Sequence, residues 1–442
     1  MLLHLQISKK YGPVCTVYFG LRPTVVVTGY EALKEVFTDC GDAFLNRGAM
    51  PVFDRLFKYG GLSYVNGDPW KQLRQFSLQT LKDFGMGKKS LEDPILEEAH
   101  HIVEHFRSLN KEPVEPSTTL ICASSNILAN ILMGSRYDYN NKKWLEILQK
   151  SHEAFHIHSS VWGQLYDMYP SIMQYIPGPH QRMFVLLQDL KEMVRESIKN
   201  HKDTLDPACP RDYIDCFLIR MEQEKHNPST HFSMKNFYTT AISLFVAGTE
   251  TVSTTVRHGL LLLLKHPNVK LKVQEEIDQV IGRLRAPGSQ DRESMPYTDA
   301  VIHEIHRYAD VLPMNLPHEV CIPLRTLSFT FWKGTDVLAP LSFVLRDPKY
   351  FPEPFTFTPE RFLDENGRLK KNEAFLVFSA GKRMCLGDGL ARQEIFLTLT
   401  TLLQNFDISS PVDFKELDIS PQMVGFSNFP RPFKISFVSR RL

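Results

Sequence analysis

With 442 residues, 43% of them hydrophobic and 23% charged, the chain can bury a large core, which excludes a disordered or collagen-like protein. Fifty-one Lys and Arg against 50 Asp and Glu leave a formal charge of +1, which removes the usual electrostatic argument for nucleic acid as the main partner. Seven scattered cysteines without a CxxC pair suit a reducing compartment and predict mostly buried, inert thiols.

The start, MLLHLQISKKYGP, meets Lys9, Lys10 and Pro13 too soon for the apolar region of a signal peptide. No apolar run approaches the ~20 residues of a membrane span. PVCTVYFG and PTVVVTG, joined by Gly20 to Pro23, predict a β-hairpin. Apolar residues at helical spacing follow in SLEDPILEEAHHIVEHFRSL and, less regularly, in EILQKSHEAFHIH. The longest predicted helix starts at the N-cap Ser233 and ends at Lys265, before His266 and Pro267. It is ~50 Å long and apolar on nearly all faces, so it should run through the core of one large domain. PNVKLKVQEEIDQVIG and TDAVIHEIHRY read as further helices, LSFTFWKGTDVLAPLSFVL as β-rich and loop-rich, and GLARQEIFLTLTTLLQNF as a final helix.

Three segments carry chemistry. In FSAGKRMCLG (378 to 387) two glycines flank Cys385 in a loop before an apolar helix, where the helix N-terminus and nearby N–H groups favour a thiolate. A thiolate is a soft metal ligand, and such a loop also suits a nucleophile or a plain buried thiol. Ala247 to Thr251 (AGTET) puts a glycine, an acid and hydroxyls in mid-helix, which is costly unless they are used. Glu304 and Arg307 stand i,i+3 on one helix face, by itself the signature of a solvated ion pair.

FSAGKRMCLG resembles the F-x-x-G-x-R-x-C-x-G loop of the cytochrome P-450 haem-thiolate monooxygenases, a chance match at the five positions being on the order of one in ten thousand. The resemblance extends over the chain from KKYGPVCTVYFG to GFSNFP and is closest to the microsomal family-two enzymes. It implies a mainly α fold with small β-sheets, a single catalytic domain over 1–442 and a long central helix. Implied with it are haem b (iron protoporphyrin IX) ligated by Cys385, and propionate contacts from Arg47, Trp70, Arg74, His318 and Arg383. Glu304, Arg307 and Arg361 would lock the meander beside the cysteine loop. Ala247 would lie over the haem, with Glu250 and Thr251 relaying protons to bound dioxygen. The implied substrate pocket is Tyr64, Phe155, Phe245, Ala247, Val311, Leu312 and Phe426.

The implied substrates are lipophilic small molecules (xenobiotics, fatty acids or steroids), and the implied electron donors are the NADPH-dependent cytochrome P-450 reductase and cytochrome b5. Lys71, Lys82, Lys88, Lys89 and Lys382 would form the docking face. The implied location is the cytoplasmic face of the endoplasmic reticulum membrane, with MYPSIMQYIPGPHQRMFVLL in peripheral contact. The sequence departs from the family at Val252, Gln75, Val377 and in CIPLRTLSFTFW, and lacks the anchor helix that precedes KKYGP, so a truncated or short form is expected. A hydrolase with Cys385 as nucleophile and a haem protein without turnover are the rival classes.

Overall fold

A computed structural model of the chain describes residues 10–58, 60–85 and 91–440. Among these residues, ten helices have eleven residues or more: α1 (Gly67–Asp83), α2 (Glu92–Ser108), α3 (Ser117–Met133), α4 (Lys142–Ser159), α5 (Gln188–Thr204), α6 (Tyr213–Gln223), α7 (Met234–Lys265), α8 (Pro267–Val280), α9 (Pro296–Ala309) and α10 (Asp388–Asn405). The central helix forms where expected. Ser233 caps it by accepting from the Asn236 N–H at 3.3 Å, and Pro267 opens α8 after the break at His266.

Helix α3 escaped the sequence reading because it has no polar stripe: almost all of its residues are buried, so no helical period stands out. It packs along α7, and Gly248 lets the two helices approach, since a Cβ there would lie 3.0 Å from Leu128. Gly259 does the same further on, facing Ile305 of α9 and Leu399 of α10. The two glycines of the central helix are therefore places of close approach, which offsets their cost in helix propensity.

β1 (Val14–Phe19) and β2 (Arg22–Val27) form the expected hairpin. They continue into a five-stranded sheet of order β1-β2-β7-β4-β3, with β3 at Asn46–Arg47, β4 at His318–Glu319 and β7 at Asp336–Leu338. β5 (Leu324–Thr326) and β6 (Phe329–Phe331) pair as a separate hairpin, and the β-rich expectation fails at Leu341–Leu345, which is a short helix after Pro340. Small two-stranded pairs close the C-terminal region. The expectation of mostly buried cysteines also fails: Cys122 alone is buried, while all seven are free thiols.

The core is apolar enough to keep several histidines neutral. Burial pushes His258 down to about 4 and His306 down to about 3. Below pH ~6.5 the unfolded chain protonates these histidines while the folded chain does not, so acid favours unfolding. Each should cost about 1.4 kcal/mol of stability per pH unit between roughly pH 6 and the depressed value. Melting measured from pH 7.5 to 4.5 should show this loss, and His306→Gln should make the slope shallower.

Candidate functional site

Helix α10 and the loop before it form one wall of a cavity, and α7 forms the wall opposite. Cys385 follows the reversal at Ser379 (φ 63°) and Gly381 (φ 72°), and the turn is closed by the Cys385 N–H donating to the Phe378 carbonyl at 3.0 Å. Gly381 is irreplaceable here, because a Cβ would run into the Phe37 carbonyl oxygen and its backbone is left-handed. Of the seven cysteines, Cys385 alone lines the cavity. The residue is exposed onto this cavity, but the protein packed around it still desolvates the sulfur and pushes its thiol up, while the Gly387 N–H aimed at the sulfur pulls the other way. A thiolate at this place therefore needs a positive partner.

From the facing wall come Leu244, Ala247, Gly248, Thr251, Val252 and Thr255 of α7, joined by Leu128 and Leu132 of α3. Ala247 and Thr251 thus share the cavity with Cys385. The Thr251 hydroxyl donates to the Ala247 carbonyl at 2.8 Å, which leaves its oxygen free to accept. Glu250 points elsewhere. It is 3% exposed, its Oε2 accepts from His152 Nδ1 at 2.8 Å, and its Oε1 is buried without a protein partner.

On the rim, Arg47, Arg74 and Arg383 converge with Trp70. Arg383 lies over the Trp70 ring, 4.0 Å from its centroid. Arg74 donates to the Met384 carbonyl at 2.6 Å, tying α1 to the cysteine loop. Arg383 donates to the carbonyls of Leu45 (2.7 Å) and Val65 (2.8 Å), and its Nη1 is buried without a protein partner. His318 stands behind this group rather than on the cavity. Register pairing of β3 with β4 sets it opposite Arg47, its Nδ1–H donates to the Phe44 carbonyl at 2.6 Å, and its Nε2 accepts from Arg47 at 2.8 Å. Burial keeps it neutral, well below the usual range.

Among the described residues no carboxylate pairs with any of the three arginines. Burial, reinforced by Arg47 and Arg74, pushes Arg383 down to about 8, and burial takes Arg47 to about 10. Such concentrated, half-desolvated positive charge calls for an anion. A porphyrin with two carboxylates would meet that need at one edge, the apolar walls would accept its ring, and its iron would supply the positive partner of Cys385. The residues fit a haem.

The implied substrate pocket divides. Ala247, Val311 and Leu312 line the cavity. Tyr64, Phe155, Phe245 and Phe426 do not: Tyr64 (4.4 Å between ring centroids) and Phe426 (5.2 Å) pack on Phe53, Phe155 on Phe426 (6.0 Å), and Phe245 on Trp144 (5.7 Å). The sequence reading missed His306, Asn315 and Glu394 in the lining, and Glu394 is a buried acid pushed up to about 8 by burial. It also missed His152 as the partner of Glu250, although EILQKSHEAFHIH displays His152 and His156 at helical spacing.

Glu304, Arg307 and Arg361 meet in one cluster, with Glu304 and Arg307 fully buried and Arg361 reaching the surface. Glu304 accepts from Arg307 Nε (2.6 Å) and Nη2 (2.7 Å), from Arg361 Nε (3.2 Å) and from the Thr358 N–H (2.9 Å). Of the lysines, Lys71 pairs with Asp68 at 3.4 Å, Lys382 pairs with Asp42, Lys82 is exposed, and Lys88 and Lys89 lie outside the described residues.

A thiol opposite an apolar helix wall, with unpaired guanidiniums on the rim, defines the class as a haem-thiolate protein. The sequence model of the family described as Cytochrome P450 matches residues 2–437, and the chain belongs to that family. It is 48% identical to cytochrome P450 2G1 of Oryctolagus cuniculus over 99% of this chain and 88% of the relative. Cytochrome P450 2C55 of Rattus norvegicus is 48% identical (98% and 88% covered), and cytochrome P450 2F2 of Mus musculus 47% (97% and 88%). The chain is therefore a monooxygenase that inserts one atom of dioxygen into lipophilic small molecules with electrons from a reductase, and the hydrolase alternative falls.

Gly381→Ala tests the loop geometry. It should lower thermal stability by several kcal/mol, as a clash with backbone in a left-handed position requires, and should reduce haem retention in parallel. Gly282→Ala, also at positive φ (75°) but with open space around it, should cost only about 1 kcal/mol.

Proposed function

We propose that the group held is haem b, with Cys385 as iron ligand and its propionates against Arg47, Arg74, Arg383 and Trp70, His318 acting by holding Arg47. The observation that carries this is the set of three rim guanidiniums without a carboxylate, sharing one cavity with the Cys385 thiol. When bound, the haem supplies dioxygen activation and oxygen insertion into a C–H bond. The surrounding residues supply the rest. Val311, Leu312, Leu128, Leu132 and Ala247 exclude water and orient the substrate by shape. Thr251 accepts a hydrogen bond from a water that delivers a proton to dioxygen, and Glu250, although it faces α4 rather than the cavity, reloads that water from its unpartnered Oε1. Tyr64, Phe155, Phe245 and Phe426 act from the layer behind the lining, and the whole of 1–442 serves as one catalytic domain.

Reduced protein under carbon monoxide should show the red-shifted Soret band of thiolate ligation, and Cys385→Ala should abolish it. A colourless but active protein would refute the assignment. Thr251→Ala should keep that spectrum and cost only about 1 kcal/mol of stability, yet lower product per NADPH and raise hydrogen peroxide. Intact coupling at saturating substrate would make Thr251 a packing residue.

We further infer peripheral contact with the endoplasmic reticulum membrane from its cytoplasmic face. Ile172 (58%), Tyr175 (82%) and Ile176 (39%) are exposed, as are Tyr18 and Leu21 of the β1–β2 turn, whose Gly20 lies against Tyr169. No helix among the described residues is long and apolar enough to cross a membrane. Met173 is buried and belongs to the packing. Cytochrome b5 would share the reductase's docking face around Lys71, Lys82 and Lys382. Replacing Ile172 and Tyr175 together by Ser should lower liposome binding with haem content unchanged; unchanged partitioning would return the segment to packing.

A further inference from the structure

Glu250 stands next to Thr251 in sequence but faces α4, where His152 and His156 are four residues apart and share a face. Hydrogen-bond chemistry orients what lies between them. A carboxylate only accepts, so the proton in the 2.8 Å contact belongs to His152 Nδ1. With one ring hydrogen on His152, placed at Nδ1, its Nε2 presents a lone pair, and His156 Nε2, 3.1 Å away, then carries the hydrogen that fills it. The chain therefore runs in one direction, from His156 through His152 to Glu250.

The surroundings disfavour a charge on His156. Arg257, on α7, carries Glu115 at 3.3 Å and leaves Nε and Nη1 buried without protein partners. Phe429 stacks on His156 with ring centroids 3.9 Å apart and meets His152 edge-on at 5.5 Å. Burial above all, with the charge of Arg257 adding to it, pushes His156 down to about 3. A proton is thus passed along rather than stored. His156 is half-buried and the His152 side chain is 21% exposed, which gives access from outside, while Glu250 Oε1 is the free buried end.

We propose that His156 and His152 form a proton inlet that reloads Glu250, and through it the Thr251 side of the cavity. The proposal rests on the assignment of Glu250 and Thr251 above. A proton from solvent binds His156 Nδ1, the Nε2 proton of His156 passes to His152 Nε2, and the Nδ1 proton of His152 passes to Glu250, which becomes neutral. N–H bonds break as N–H and O–H bonds form, and no electrons change hands. Ring reorientation and exchange with solvent restore the tautomers. Neither histidine lines the cavity, so both act through Glu250.

His152→Asn places an amide donor where Nδ1 stood and keeps the bond to Glu250 while breaking the relay; His156→Phe keeps the stack on Phe429. In the reconstituted holoenzyme both should retain haem content, the carbon monoxide spectrum and the substrate-induced spectral shift. Product per NADPH should fall about tenfold, water reaching Glu250 only slowly, and the solvent deuterium isotope effect on product formation should rise. Nitrogen NMR of the ¹⁵N-histidine-labelled, carbon monoxide-bound wild type should find Nδ1–H on His152 and Nε2–H on His156, with His156 uncharged down to pH 5. Opposite tautomers, a cationic His156 at pH 7, or unchanged coupling and isotope effect would overturn the proposal. Glu250→Gln separates the two levels: if it leaves coupling intact the assignment of Glu250 itself fails, and if it uncouples while His152→Asn does not, the inlet alone falls.

Discussion

The buried carboxylate of Glu304 is the constraint on which the rest depends. It is fully enclosed and carries a charge that would be prohibitive alone, so every donor around it is held in place by the same need. Arg307 spends its remaining N–H groups on the carbonyls of Leu345 (3.0 Å) and Pro354 (2.8 Å), and Arg361 binds the Pro352 carbonyl at 2.5 Å. Irregular chain from 346 to 358 is thereby fixed to α9 without a helix or strand of its own. That segment leads into the loop that presents Cys385. Breaking such a buried cluster by removing one partner typically costs 3–5 kcal/mol.

Opposite electrostatic solutions operate within one fold. Around Glu304 the charges are balanced by protein and the structure is closed. At the cavity rim three cations converge with no acid, a charge that a carboxylate-bearing ligand would balance, so that haem binding there would add to folding stability. The raised Cys385 thiol follows the same logic, since an apolar wall tolerates a thiolate only beside a positive ion.

Helix α7 divides its work between two faces. Ala247, Gly248 and Thr251 meet the cavity, whereas Glu250 and Arg257 meet charged and aromatic side chains outside it. Adjacent residues on a helix are turned by 100°, so an acid and an alcohol next to each other in sequence serve different surroundings. Val252 lines the cavity without a hydroxyl, which leaves Thr251 and Thr255 as the alcohols of α7 on that wall.

The sequence by itself determined what depends on local chemistry: the central helix between Ser233 and Lys265, the hairpin before Thr28, the cysteine loop with its obligatory turns, and hence the family. Caps, prolines, glycines and spacing act over a few residues and can be read in order. Tertiary structure decided what depends on which side of an element meets which neighbour. It hid α3, whose uniform burial erases the helical period, and it turned Leu341–Leu345 into a helix. It set His318 behind Arg47 through strand register, moved Tyr64, Phe155, Phe245 and Phe426 off the cavity, and joined Glu250 to histidines 98 residues away in the case of His152. Those outcomes follow from packing between distant segments, and the strength of a buried hydrogen bond or a stacked ring depends on a partner that sequence spacing does not name.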